Sequence, residues 1–239
     1  MAGVLYIVST PIGNRDDITI RALKVLKGVD EVICEELKEG RKLLNQYGID
    51  KPLRKLNEHN EKRDTPQIIK ELKTGKRFAL ISDCGTPVFA DTGGYLLKEA
   101  ISSKIQLIPV PGASSLMAAL VVSGISLERF IYYGFLSPKR EGRRKELFKI
   151  KSLLNTIDAD RNMPVVLLDT PYRLLSLLID IADIVGKETS IILCMDMTTH
   201  TEEILRGRAY EILTRIKEGE KKREFVLIIK PKGKIPEHE

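Results

Sequence analysis

The chain has no tryptophan, and aromatic residues make up only 5% of its 239 positions. So few rings do not build a surface that holds nucleic acid by stacking its bases. Histidine is equally scarce: His59, His200 and His238 are too few for a poly-histidine metal centre. The three cysteines, Cys34, Cys84 and Cys194, are odd in number, far apart and without a C-x-x-C pair. Neither a disulfide framework nor a zinc ribbon is expected, no metal is called for, and a reducing cytoplasmic setting fits. The N-terminus lacks a basic segment followed by an apolar stretch, so no signal peptide is read.

Phosphate-binding signatures are also missing. No G-x-G-x-x-G follows the first apolar run and no G-x-x-x-x-G-K-[ST] occurs, which argues against a Rossmann dinucleotide site and a P-loop. There is no G-x-S-x-G elbow and no H-E-x-x-H helix. One uncharged stretch, Ile105–Leu127, is long enough to span a bilayer. Pro109, Pro111, Gly112, Ser114 and Ser115 interrupt it early. It therefore reads as a buried strand, a turn and a core-packed helix, with no membrane partner.

What is present suits a globular protein: 43% hydrophobic and 30% charged residues, with 39 Lys and Arg against 33 Asp and Glu for a net charge of +6. Short apolar runs at 3–9, 29–34, 77–82 and 105–110 read as buried strands. Helices are expected at 18–27, capped by Asp17, and at 38–47, closed by Gly48. Two more are expected at 65–72 and 95–101. Strands alternating with helices predict a mostly parallel, doubly covered N-terminal sheet. A boundary is expected near Gly124–Arg129, giving domains 1–124 and 125–239. Beyond it, strands at 130–135, 164–169, 190–196 and 224–230, with helices at 172–185 and 209–217, suggest a mixed C-terminal sheet with flanking helices. The fold class is α/β.

Three polar loops rich in glycine and proline each follow an apolar strand: Thr10–Asn14, Ser82–Pro87 and Pro109–Ser115. In a parallel sheet such loops share the carboxyl edge, where open α/β sheets bind ligands. Glycine and proline let backbone amides and carbonyls approach a ligand and hold them there. The plainer reading, that the loops merely connect strand to helix, weakens when three occur together.

The segments STPIGN at 9–14, DIT at 17–19, RAL at 21–23, EHNE at 58–61, SDCGTP at 82–87, PVPGASS at 109–115, GF at 134–135 and RR at 143–144 resemble the tetrapyrrole-methylase superfamily, and within it an rRNA-methylating branch. The match runs over almost the whole chain and is densest through residue 145. The resemblance implies a two-domain α/β fold with S-adenosylmethionine (SAM) in the cleft between domains, a homodimer, and methyl transfer to the ribose 2′-oxygen of a cytidine in small-subunit rRNA. Carried over by position, the cofactor contacts are Pro11, Ser82, Asp83, Gly85, Thr86, Val88 and Phe89. Gly112, Ala113, Ser114 and Ser115 follow, with Leu168 and Asp169 closing the site.

Methyl transfer from a sulfonium needs positioning more than covalent help from the protein. The acceptor hydroxyl is a weak nucleophile, so a general base or charge-stabilising group is expected beside it. Asp17, Glu35 and Asp83 are candidates, with Glu35 first because it ends a strand beside the first loop. The plain alternatives are a solvated carboxylate for Glu35 and a helix cap for Asp17. Asn14 either binds substrate or holds its own turn. His59-Asn60 reads as turn chemistry and Cys84 as an apolar filler. The basic stretch with Lys139, Arg140, Arg143, Arg144 and Lys145 is expected to meet RNA phosphates, against the alternative of a solvated helix face.

The chain departs from the resembling pattern at Glu35-Glu36-Leu37-Lys38, Asp91-Thr92-Gly93, Leu168–Arg173, Asp196–Thr199 and Lys222–Glu224. Most of these lie on the acceptor side, so two alternatives stay open: methylation of a tetrapyrrole, another small molecule or a protein on the same fold, and an inert ribosome-binding homologue. Fold alone does not separate them.

Overall fold

Alternation along β4, Arg77–Ile81, builds the first core on both faces of one sheet. Phe78 and Leu80 join Ile68, Leu72 and Leu96 on one side, while Ala79 and Ile81 join Ala22, Leu26 and Leu44 on the other. A strand covered on both faces reads as a continuous apolar run, which is why RFALI carries no polar alternation. The computed structural model describes residues 3–89, 91–125, 128–156, 163–218 and 222–231. Ser126 and Leu127, inside the expected domain boundary, and His238 lie outside the described residues.

The chain divides into two units, Met1–Ser114 and Ser115–Glu239. In the first, β1 (Val4–Val8), β2 (Glu31–Cys34), β3 (Leu53–Lys55), β4 and β5 (Gln106–Val110) form one sheet in the order β3-β2-β4-β1-β5. Every pairing is parallel. The connections carry α1 (Ile20–Gly28), α2 (Leu37–Gln46), α3 (Glu61–Lys73) and α4 (Gly94–Ser102). The helix expected from residue 18 starts later because Thr19, not Asp17, is its cap: the Thr19 hydroxyl accepts the Ala22 amide at 3.0 Å. Asp17 belongs to a short 3-10 turn, Arg15–Asp17. α3 begins at Glu61 rather than Thr65, and β3 was not foreseen.

The second unit opens with α5 (Ser115–Val122), which packs against β10 (Phe225–Ile229). That packing draws the helix into this unit, so the division falls at 114/115, ahead of the expected 124/125. The remaining elements are β6 (Ile131–Phe135), α6 (Arg140–Thr156), β7 (Val165–Asp169), α7 (Leu174–Ile184), β8 (Ser190–Met195), β9 (Glu203–Arg208) and α8 (Ala209–Glu218). Their sheet runs β6-β7-β10-β8-β9, with β6–β7 parallel and the other pairs antiparallel, a mixed sheet as expected. Leu147, Ile150, Leu167, Leu177, Ile181, Leu193 and Leu227 are in its core. Among the described residues no helix is long and apolar enough to cross a membrane.

Candidate active site

Because the first sheet is parallel, the residues after each strand gather at one edge. Loop 9–14 follows β1, Glu35 and Glu36 follow β2, Asn57 and Glu58 follow β3, loop 82–89 follows β4 and loop 111–114 follows β5. The three glycine-bearing loops are tied to one another. The Thr10 amide donates to the Gly85 carbonyl at 2.8 Å, and its hydroxyl donates to the Ser82 carbonyl at 3.1 Å. The hydroxyls of Ser9 and Thr86 lie 3.0 Å apart, and that of Thr86 donates to the Ala113 carbonyl at 3.2 Å. Ser82 Oγ accepts the Cys84 amide at 3.2 Å and donates to the Cys84 carbonyl at 3.0 Å. These hydroxyls and backbone groups fix the three loops to one another.

Two glycines permit the arrangement. Gly85 has φ +83, and a Cβ there would stand 3.2 Å from Ile12 Cγ2. A Cβ on Gly112 would stand 3.0 Å from the Ser9 Cβ. Val88 holds φ +69, a left-handed conformation unfavourable for a β-branched residue. Such strain costs on the order of 1–3 kcal/mol and concentrates at ligand sites.

Beside these loops lies a cavity of about 540 Å³, lined by Glu35, Glu58, Glu61, Asp91, Thr92, Gly94 and Tyr95. Its size is that of a small-molecule site. Glu35 is half-buried there, and its carboxyl is pushed up to about 7. The causes are a side-chain hydrogen bond with Asp91, then burial, then repulsion from Asp91, Asp83 and Glu58. Asp83 is exposed as a residue, but the desolvation of its carboxyl and the nearby Asp91, Glu36 and Glu39 raise it, against the Glu36 amide it accepts at 3.3 Å. Glu61 receives the amides of Tyr95 and Leu96 at 2.8 and 3.0 Å and so caps α4 from α3. Asn60 accepts the Asn57 amide at 2.7 Å and donates to the Lys55 carbonyl, so the EHNE segment is largely turn and cap chemistry, with His59 exposed.

The other catalytic candidates sit elsewhere. Asn14 accepts the Asp16 amide at 3.0 Å and caps the 3-10 turn, and neither it nor Asp17 lines the cavity. Among the described residues no cluster of His, Cys, Asp or Glu is arranged to hold a metal ion.

In the second unit, Leu168 and Asp169 end β7. Asp169 is buried; one oxygen accepts the Thr170 amide at 2.6 Å and Arg173 Nε at 2.5 Å, while Oδ2 has no hydrogen-bond partner among the described residues. The basic stretch requires a correction. Arg143 is 4% exposed and its guanidinium lies 2.8 Å from Asp180, which is fully buried. It cannot present its charge to a phosphate, because it neutralises a buried carboxylate. Arg140 and Arg144 also bond Asp180, at 3.2 and 3.0 Å. Lys139, Arg140 and Lys145 are exposed, and Lys145 pairs with Glu141 at 2.7 Å. The departing segments at 196–199 and 222–224 meet through Arg223, which bonds Asp196 at 2.6 Å and Glu203 at 2.5 Å.

Reading the sequence did not bring Glu58, Glu61, Asp91 and Tyr95 together with Glu35. The convergence depends on β3, whose three residues Leu-Arg-Lys carry no apolar run, so Glu58 could not be placed at the end of a strand. Asp91 stood in view only as part of a departing motif.

A parallel sheet with interlocked glycine loops on its carboxyl edge, followed by a mixed sheet, defines a two-unit α/β protein. The chain belongs to the Tetrapyrrole (Corrin/Porphyrin) Methylases family, whose profile matches residues 4–213, and it is a methyltransferase by that membership. It is 38% identical over 230 residues to Ribosomal RNA small subunit methyltransferase I of Thermotoga maritima, covering 96% of this chain and 99% of that protein. The protein of the same name from Synechocystis is 35% identical over 235 residues, 98% of this chain and 81% of its own length. The Bacillus subtilis protein of that name is 35% identical over 227 residues, 95% and 75% of the respective chains. The crystal structure of a conserved hypothetical protein from Aeropyrum pernix K1 superimposes with a TM-score of 0.74 over 97% of this chain and 86% of that one, at 16% identity, and shows the shared fold.

Proposed function

We propose that the protein transfers a methyl group from SAM to the ribose 2′-oxygen of a cytidine in small-subunit rRNA, as a cytoplasmic homodimer. The observation that carries this reading is Glu35, a carboxyl poised near neutrality in a cavity at the sheet edge that also bears the interlocked loops. The names of the relatives supply the substrate class. The loops fit the cofactor: Gly85 and Gly112 bring backbone close where a side chain would crowd Ile12 or Ser9, and Asp83 adds an exposed carboxylate suited to hydroxyls or an amino group. When bound, SAM supplies a methyl group already activated on a sulfonium. The protein's part is to hold the acceptor in line and to receive its proton. Gly85, Thr86, Val88, Gly112 and Ala113 are the proposed holding residues and Glu35 the proposed base. Lys139, Arg140 and Lys145 remain as the exposed cations for phosphate contact.

The test is transfer of labelled methyl to small subunits lacking the modification, with the product nucleotide mapped. A 2′-deoxyribose at that nucleotide is expected to remove the product entirely, since the 2′-hydroxyl is the acceptor. Methyl on the base of the deoxy substrate overturns the assignment. The cofactor half has its own test. Gly85→Val puts a branched side chain at φ +83 against Ile12. SAM binding by calorimetry is expected to vanish while far-UV circular dichroism persists, and undiminished affinity refutes the placement.

A further inference from the structure

Asp91 stands in the turn before α4 and lines the cavity. It is not the cap of α4: the N-cap is Gly93, without a side-chain bond, and the first amides of that helix are taken by Glu61. Instead the Asp91 carboxyl is held at the cavity. Its Oδ1 accepts the Thr92 amide at 2.8 Å. The next residue, Gly93, has φ +109 and packs so closely on β4 that a Cβ would stand 2.8 Å from Leu80. The turn therefore presents Asp91 to the end of the sheet, where it hydrogen-bonds Glu35.

Carboxylates have no donor, so two carboxyls hydrogen-bond only when they share a proton. The groups facing Glu35 are Asp91 from the turn before α4, Asp83 after β4 and Glu58 after β3, all acidic, with Glu61 engaged by α4 and no cation among the cavity-lining residues. We propose that Asp91 is a positioning residue for methyl transfer: it orients Glu35 toward the cavity and shares with it the proton taken from the acceptor hydroxyl. This rests on the reading of Glu35 as the base. The acceptor oxygen forms its bond to the methyl carbon, the carbon–sulfur bond breaks with its electrons going to sulfur, and the hydroxyl proton passes to ionised Glu35, to lie between the two carboxyls.

The proton between the two carboxyls is read at Glu35, whose carboxyl Asp91 and burial push up to about 7. Below about 7 Glu35 already holds a proton and cannot accept another, so the rate rises with pH through that region. Asp91→Asn removes the repelling charge and offers an amide donor to ionised Glu35, and both effects favour the carboxylate. The experiment is single-turnover methyl transfer to small subunits from pH 5 to 9 for the wild type, Asp91→Asn and Asp91→Ala. It is paired with a carbon-13 titration of the glutamate carboxyls, Glu35 being assigned by its loss in Glu35→Gln. The wild-type midpoint near 7 is expected to fall by at least about one unit in both variants, by rate and by resonance, with SAM affinity unchanged. An unmoved midpoint with a lower plateau makes Asp91 merely structural and overturns the proposal. Absence of product from the wild type overturns the methyl-transfer reading instead, and the carbon-13 midpoint then decides the Glu35–Asp91 coupling alone: a value unchanged by Asp91→Asn overturns it.

Discussion

Asp180→Ala is expected to lower the stability of the second unit by about 3–5 kcal/mol, the cost of leaving one member of a buried ion pair without its partner. The stranded group is Arg143, 4% exposed on α6 and 2.8 Å from the carboxylate on α7. Burial works against the charge on Asp180, but hydrogen bonds from Arg143, Arg144 and Arg140 outweigh it and hold the carboxyl below its ordinary range. A depressed carboxyl contributes its stability above the unfolded value of about 3.9 and loses it as pH falls through the folded value. The penalty in Asp180→Ala should therefore be full at pH 7 and shrink in acid. Urea unfolding at constant m reads it directly. Replacing Asp180 and Arg143 together by apolar residues should recover most of the loss, because the desolvation of both charges disappears with them. A loss below about 1 kcal/mol in the single variant would reduce the network to a surface ion pair.

The same network shows where the sequence was legible and where it was not. The apolar runs at β1, β4, β7, β8 and β10 announce themselves because both faces are covered. The edge strands β3 and β9 do not, since Leu-Arg-Lys and Glu-Ile-Leu-Arg-Gly-Arg carry neither a run nor a clean alternation. The basic helix hides its one buried cation among exposed ones. The signal was present in its period: Arg143, Leu147, Ile150 and Leu154 recur at helical spacing on the buried stripe. Asp180, on the apolar stripe of Leu174–Ile184 with Leu177 and Ile184, demands a cation for the same reason. At the site, the three loops could be read because strand-then-glycine is a local pattern. The acidic cavity could not, because it assembles residues that follow β2, β3 and β4 and depends on the strand order.

Glu35→Gln is the change expected to hurt function most while helping the fold. The amide keeps the shape and removes the proton acceptor, so turnover should drop by about 10²–10⁴, the usual contribution of a general base. SAM affinity should hold, because the loops at 82–89 and 111–114 are fixed by Thr10, Ser82 and Thr86 and not by Glu35. Stability should move the opposite way. Glu35 is raised to about 7 by Asp91, burial and its acidic neighbours, above its unfolded value of about 4.3. Between those values the folded state binds more protons than the unfolded one, so the wild type loses stability as pH climbs from about 4.3 to 7. Glutamine has no charge to crowd Asp91, Asp83 and Glu58, so the variant should melt above the wild type at pH 8 and beside it at pH 4. Melting curves at both pH values, set against single-turnover rates, separate the two roles. A residue that only holds the cavity together would lose stability and activity in step. A poised base trades one against the other. Full activity in Glu35→Gln removes it from the mechanism and passes the role to Asp83, the other raised carboxyl at this sheet edge.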